Sequence, residues 1–170
     1  MFNTFYLYVR LQKKFRNKPM IHWKLFKFPA LPPEYLYQAL KLRQDIFILE
    51  QTCFYHDIDN LDQISLHLFL ISESEIAGYL RIVPPENKFK EVSLGRILIA
   101  SDFRGKKLGY KLVEKGIEVA TEYFEGPVRI EAQEYLQRFY SGLGFKKDSK
   151  IYEVDGINHL QMILKNEKTS

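Results

Sequence analysis

The chain of 170 residues has one cysteine, Cys53, so it can form no internal disulfide and offers no thiolate cluster to a metal. Beside Phe54 and Tyr55 that sulfur reads as a small buried apolar group, and such sparse use of cysteine is expected of a reducing, cytoplasmic interior. Long hydrophobic runs are also absent. None approaches the roughly 20 residues that a membrane span requires, so no membrane partner is expected. The short apolar stretch Phe5 to Val9 comes before the first positive charges instead of after them, which excludes a secretory signal. Internal repeats and low-complexity tracts are missing too. What is present is a 46% hydrophobic fraction with 15% aromatics, enough for one globular core, while the length leaves no room for a second domain.

The formal charge of +4 suggests a nucleic-acid partner until it is located. Arg10, Lys13, Lys14, Arg16 and Lys18 lie in residues 1–19 with no acid among them, and the rest of the chain sums to −1. A basic stripe across the folded domain is therefore not expected, and neither is nucleic-acid binding through it. Residues 1–19 are predicted to be an extension outside the fold, with Met20 as the natural initiator and 20–170 as one domain.

Alternation from Ile21 to Phe28 predicts a first strand. Pro32-Pro33-Glu34 opens a helix that should end near Leu49, with Leu36, Ala39, Leu40 and Phe47 on one face. Glu50 to Asp62 lacks periodicity and reads as a loop, a common carrier of function. Strand-like runs follow at Ile64–Ile71, Ile76–Val83 and Glu91–Ala100, then a helix from about Gly105 to Phe124 with Leu108, Leu112, Gly116, Val119, Ala120 and Tyr123 in a stripe. Val128–Ala132 is a strand, Tyr135–Gly142 a short helix, and Phe145–Val154 and Asn158–Leu164 are strands around an Asp155-Gly156 turn. The order β-α-loop-β-β-β-α-β-α-β-β predicts an α/β class, a mixed sheet with helices on both faces. Its parallel crossover should run through the helix between Ile97 and Val128.

That crossover gives the segment Gly95 to Tyr110 its meaning. An apolar strand enters a basic, glycine-bearing turn, and a long helix starts there. First-turn amides have no intrahelical partners, and the helix dipole places roughly half a positive charge at them. Arg104, Lys106 and Lys107 add full charges, and Gly105 and Gly109 lack Cβ atoms that would keep a diphosphate away.

Arg104-Gly105-Lys106-Lys107-Leu108-Gly109 and Phe139-Tyr140-Ser141-Gly142-Leu143-Gly144-Phe145 together resemble the pyrophosphate turn and the Phe-Tyr-x-x-x-Gly-Phe signature of the GCN5-related N-acetyltransferase (GNAT) superfamily. Phe47-Ile48-Leu49-Glu50-Gln51, Tyr55-His56-Asp57-Ile58-Asp59, Gly95-Arg96, Ala132-Gln133 and Asp155-Gly156-Ile157-Asn158-His159 are similar to its ElaA-like branch. The resemblance spans about Met20 to Leu164. Lys107 stands where the turn motif usually has its first glycine, as it does in that branch. The resemblance implies a GNAT fold and acetyl-CoA as cosubstrate. Its pyrophosphate would lie on the backbone of Arg104, Gly105, Lys106, Lys107, Leu108, Gly109 and Tyr110, and its pantetheine along Ile97, Leu98 and Ile99, with Gln133 and Phe139 completing the set. It further implies Tyr140 as the acid that protonates the departing thiolate.

The base that takes a proton from the amine stays open among Glu50, Glu131 and His159. Gln51, Asp57, Asp59 and Arg96 are expected to shape an acidic pocket for a small-molecule or peptide amine. No metal is expected, because His56, Asp57 and Asp59 lack ligand spacing. A homodimer is left open. The competing readings are a non-catalytic acyl-CoA-binding module of the same fold and a nucleic-acid binder acting through residues 1–19.

Overall fold

The hydrophobic pattern builds one sheet in the computed structural model, which describes residues 20–165. The predicted N-terminal extension lies outside the described residues. β1 (Ile21–Lys27), β2 (Leu66–Ser72), β3 (Glu75–Val83), β4 (Val92–Ile99), β5 (Val128–Gln133), β6 (Lys146–Lys147), β7 (Tyr152–Val154) and β8 (Ile157–Leu164) form it in the order β1-β2-β3-β4-β5-β8-β6, with β7 also paired to β8. Every pairing is antiparallel except β4 with β5, the pair joined by the expected crossover. This is the mixed α/β architecture that the element order predicts.

Helix α1 (Pro33–Arg43) covers one face of the sheet, and α2 (Leu108–Tyr123) the other. Ala39, Ile46, Phe69, Tyr79 and Leu98 form the core under α1, and Leu80, Leu94, Leu112, Val113 and Ala120 belong to the larger core under α2. With both faces covered, every residue of β2 is buried. Packing at Gly116 is tight: a Cβ there would lie 2.7 Å from Leu80 Cδ1, so the leucine would have to shift.

Several boundaries differ from the sequence reading, each for a local reason. α1 is α-helical only to Arg43 and continues as a wider π-helical turn over Gln44–Glu50, closed by Gln51 N–H to Ile46 O at 3.3 Å. Helix α2 starts at Leu108 and not at Gly105, because Gly105 and Lys107 have φ of 74° and 57°, outside a right-handed helix. On α2 the stripe holds except for Tyr123, which is 45% exposed, while Val113 is buried. Ile64 belongs to a 3₁₀ turn, Asp62–Ile64, and the strand begins two residues later. The short helix is a 3₁₀ turn at Glu134–Leu136 followed by α3 (Gln137–Ser141). The predicted strand from Phe145 to Val154 divides into β6 and β7, because the Ser149 hydroxyl, not a backbone carbonyl, accepts the Gln161 N–H at 2.8 Å.

Candidate active site

The parallel ladder between β4 and β5 is short. It pairs Val92 with Val128, Ser93 with Arg129 and Leu94 with Ile130, and then the strands diverge. Arg96 takes a left-handed backbone (φ 52°), and the β3–β4 register slips by one residue between Tyr79 and Arg81, so β4 bends away at a bulge. Beyond the fork, β4 has no ladder to β5, which leaves backbone groups facing the gap. A cleft of about 170 Å³ occupies the fork. Gln51, Arg96, Ile97, Glu131, Gln133, Tyr140 and His159, all singled out in the sequence, line it.

At the end of β4 the chain passes through a 3₁₀ turn, Ser101–Phe103, into Arg104 and then α2. No side chain among the described residues caps that helix, so its first amides remain open to an anion. Lys107 is the residue immediately before α2, and its left-handed conformation explains why a glycine suits this position. For a residue with a Cβ that backbone costs roughly 1–2 kcal/mol. Lys107→Gly is therefore expected to raise the melting temperature by about 2–4 °C while weakening the binding of an anion at this turn through the lost ammonium. A thermal melt beside a calorimetric titration separates the two effects, and a lower melting temperature would count against the strain argument.

Arg104 does not point its guanidinium into free space. Its Nη1 and Nη2 donate to Glu50 Oε1 and Oε2 at 2.7 and 2.9 Å, and its Nε donates to the Ile99 carbonyl at 3.1 Å. The ion pair holds the Glu50 carboxyl below its ordinary range, and Glu50 is not among the residues lining the cleft. Leu98 is buried under α1, leaving its backbone as the part that could meet a ligand. Phe139 packs against Tyr110, with ring centroids 4.5 Å apart, and lies near Gly109.

Inside the cleft, Glu131 accepts hydrogen bonds from Lys88 Nζ and the Tyr152 hydroxyl, both at 2.6 Å. Burial alone would raise its pKa, but these two donors outweigh it and hold the carboxyl below the usual range. His159 Nδ1 lies 2.8 Å from the Ile157 carbonyl. Gln133 donates to Gln51 Oε1 at 2.9 Å and accepts from the Tyr135 hydroxyl, so the end of β5 is tied to the end of the π-helical turn. Tyr140 is 6% exposed, and its hydroxyl has no hydrogen bond among the described residues. Burial pushes that phenol's pKa upward, so it keeps its proton.

Of the four residues expected to shape an acidic pocket, Gln51 and Arg96 line the cleft and Asp57 and Asp59 do not. Asp57 and Asp59 are turned away from the cleft lining and face three arginines. Asp57 accepts from Arg43 Nε at 2.7 Å and touches Arg96 Nε at 2.6 Å, and Asp59 binds Arg81 through both carboxylate oxygens at 2.6 and 2.7 Å. Asp62 joins the network, accepting from Arg43 and Arg81 at 2.8 and 2.9 Å. Carboxylates so engaged hold the 51–62 loop in place and have little capacity left for an acceptor. Arg96 also lies over the Tyr55 ring, 5.6 Å from its centroid.

The sequence reading did not single out several lining residues: Tyr55, Lys88, Phe89, Asp155 and Val154. The long loop that carries Tyr55 was a signal for it. Lys88 follows Pro84-Pro85 in a connection longer than a tight hairpin, a weaker signal. Cys53 is buried as expected, and its thiol donates to the Asp155 carbonyl at 3.3 Å.

A forked parallel pair, an uncapped helix after a basic turn and a tyrosine at the fork define the class of acyl-CoA-dependent N-acyltransferases with the GNAT fold. Residues 33–166 match the acetyltransferase (GNAT) domain family, and the chain belongs to that family. Among curated relatives it is 35% identical to protein ElaA of Escherichia coli (strain K12) over 146 residues, covering 84% of this chain and 95% of that protein. A UPF0039 protein of Synechocystis sp. is also 35% identical, over 85% of this chain and 96% of its own length. Of solved structures, an acyl-CoA N-acyltransferase from Pseudomonas aeruginosa superposes with a TM-score of 0.81 at 31% identity, covering 85% of this chain and 99% of the other. Escherichia coli ElaA superposes with a TM-score of 0.80 at 34% identity and the same coverage.

Proposed function

We propose that this protein transfers an acetyl group from acetyl-CoA to a primary amine of a small molecule or peptide, directly, with both substrates bound together. The observation that carries the reading is the fork: β4 and β5 separate after Leu94 and Ile130, and Tyr140 presents an unpartnered phenol to the space between them. Pantetheine laid along Ile97 to Ile99 would bond to the open edge of β4 as an added strand. A β4 amide there would meet the thioester oxygen as negative charge develops on it. The diphosphate would rest on the amides that open α2, beside Lys106 and Lys107. Tyr140 then supplies a proton to the leaving sulfur.

Arg104 is given a different part from the one expected of a free cation. With its donors taken by Glu50 and Ile99, it braces the phosphate turn against the end of the π-helical segment. In the same arrangement Glu50 is ill suited to be the base, since both of its oxygens already accept from a guanidinium.

The test is release of free CoA thiol from acetyl-CoA across a panel of arginine- and lysine-containing peptides, polyamines and simple amines. Amine-dependent thiol release with a matching acetylated product is expected. Tight acetyl-CoA binding with no thiol released by any amine would refute transfer and leave a non-catalytic acyl-CoA-binding module.

A further inference from the structure

Each of the three groups considered as the base has been placed by the structure, and one of them has a free lone pair. Glu50 is outside the cleft lining and holds Arg104 with both oxygens. Glu131 is inside it, but each of its oxygens accepts a strong hydrogen bond, one from Lys88 and one from Tyr152. His159 is inside it as well, on β8 between Gln133 of β5 and Tyr152 of β7. Its Nδ1 lies 2.8 Å from the Ile157 carbonyl oxygen. A carbonyl can only accept, so in the neutral ring Nδ1 carries the proton and Nε2 keeps its lone pair. Nε2 has no partner among the described residues.

We propose that His159 Nε2 is the proton acceptor for the amine substrate, a role that rests on the acetyl-transfer reading and gives that site its missing base. Glu131 stays ionised near the ring and favours the imidazolium that forms, while Lys88 and Tyr152 keep the carboxylate occupied. Asp155, Arg81, Arg96, Tyr55, Cys53 and Tyr140 are the other titratable groups lining the same cleft. Arg96 is itself paired with Asp57 and Asp59.

The protons balance through one turnover. The bound ammonium gives one proton to Nε2, and the freed nitrogen lone pair forms the bond to the thioester carbonyl carbon. As the carbon–sulfur bond breaks, the sulfur takes the electron pair and then the Tyr140 phenolic proton, leaving as CoA thiol. The surplus proton on the new amide nitrogen returns to the tyrosinate, and His159 releases its own proton to solvent.

The experiment measures kcat/KM for the best amine of the panel against pH in the wild type, His159→Gln and Glu131→Gln, with acetyl-CoA affinity and melting temperature determined for each. The wild-type profile should fall on the acid side. His159→Gln should lower kcat/KM by about 10²-fold and flatten that limb, with acetyl-CoA affinity and folding retained. Glu131→Gln should keep the limb and move it to lower pH, because the imidazolium loses a neighbouring anion. In His159→Gly, added imidazole should restore part of the rate, a result that a merely structural histidine would not give. Activity of His159→Gln within about threefold of wild type with the acid limb intact, or loss of the limb in Glu131→Gln alone, overturns the assignment while transfer itself stands. A wild type that acetylates no amine removes the acetyl-transfer reading, and the assignment with it.

Discussion

Asp62→Ala is expected to destabilise the protein by about 3–5 kcal/mol, a fall of roughly 10 °C or more in melting temperature at neutral pH. One oxygen of Asp62 serves two guanidiniums, Arg43 and Arg81, which are 0% and 1% exposed. Removing it leaves two buried cations each short of a partner, which is far more costly than losing a surface pair. His67 keeps its partners in the variant, because its Nε2 donates to the backbone carbonyl of residue 62 while Nδ1 accepts from Tyr79, and burial favours the neutral ring. The same network has a defined pH dependence. Burial would raise the pKa of Asp59, but Arg81 and Arg96 outweigh it and lower it from 3.8 to about 2, and that of Asp62 is also lowered. Groups depressed in the folded state stabilise above the unfolded value, so this stability should persist above about pH 4 and be lost as pH falls toward 2. Thermal melts across that range check both statements. A variant melting within 2 °C of wild type would show that water or rearrangement satisfies the arginines.

Tyr140→Phe should lower kcat by about 10²-fold or more while changing acetyl-CoA affinity little. The substitution keeps the ring, which packs against Phe139 and Phe145 with centroids 4.9 and 6.0 Å away, so the fold should hold. It removes only the hydroxyl, which has no hydrogen-bond partner to lose among the described residues. Because burial raises the phenol's pKa, the group is protonated throughout the neutral range and ready to donate when a thiolate develops beside it. Thiol-release kinetics paired with calorimetry decide the matter: unchanged turnover excludes Tyr140 as the required acid, and a large loss of cofactor affinity would make it a binding group. This effect differs in kind from that of Asp62→Ala, since one acts on the rate in an intact protein and the other on the population of folded protein.

Local chemistry made most of the fold readable. Pro32-Pro33, the Asp155-Gly156 turn and the stripe from Leu108 to Ala120 carry their own instructions, because caps, turns and hydrophobic periodicity depend on neighbours a few residues away. The misplaced boundaries were those set by distant contacts or special backbone. Ser149 replaced a ladder carbonyl, and the positive φ at Lys107 delayed a helix that propensity alone would have begun earlier.

The sequence by itself determined the element order, the basic turn before a long helix, the tyrosine in its aromatic signature and the family these imply. Only the tertiary structure decided which charges act on which. Arg104 and Glu50 are 54 residues apart, Lys88 and Glu131 are 43 apart, and Arg81 reaches Asp59 across 22. Those pairings set Asp57 and Asp59 among three arginines, put Glu50 in an ion pair with Arg104 and left His159 Nε2 without a partner among the described residues. The physical reason is that strand register and helix packing, not spacing along the chain, set which side chains come within hydrogen-bond distance, and a charge has no defined role until its partner is fixed.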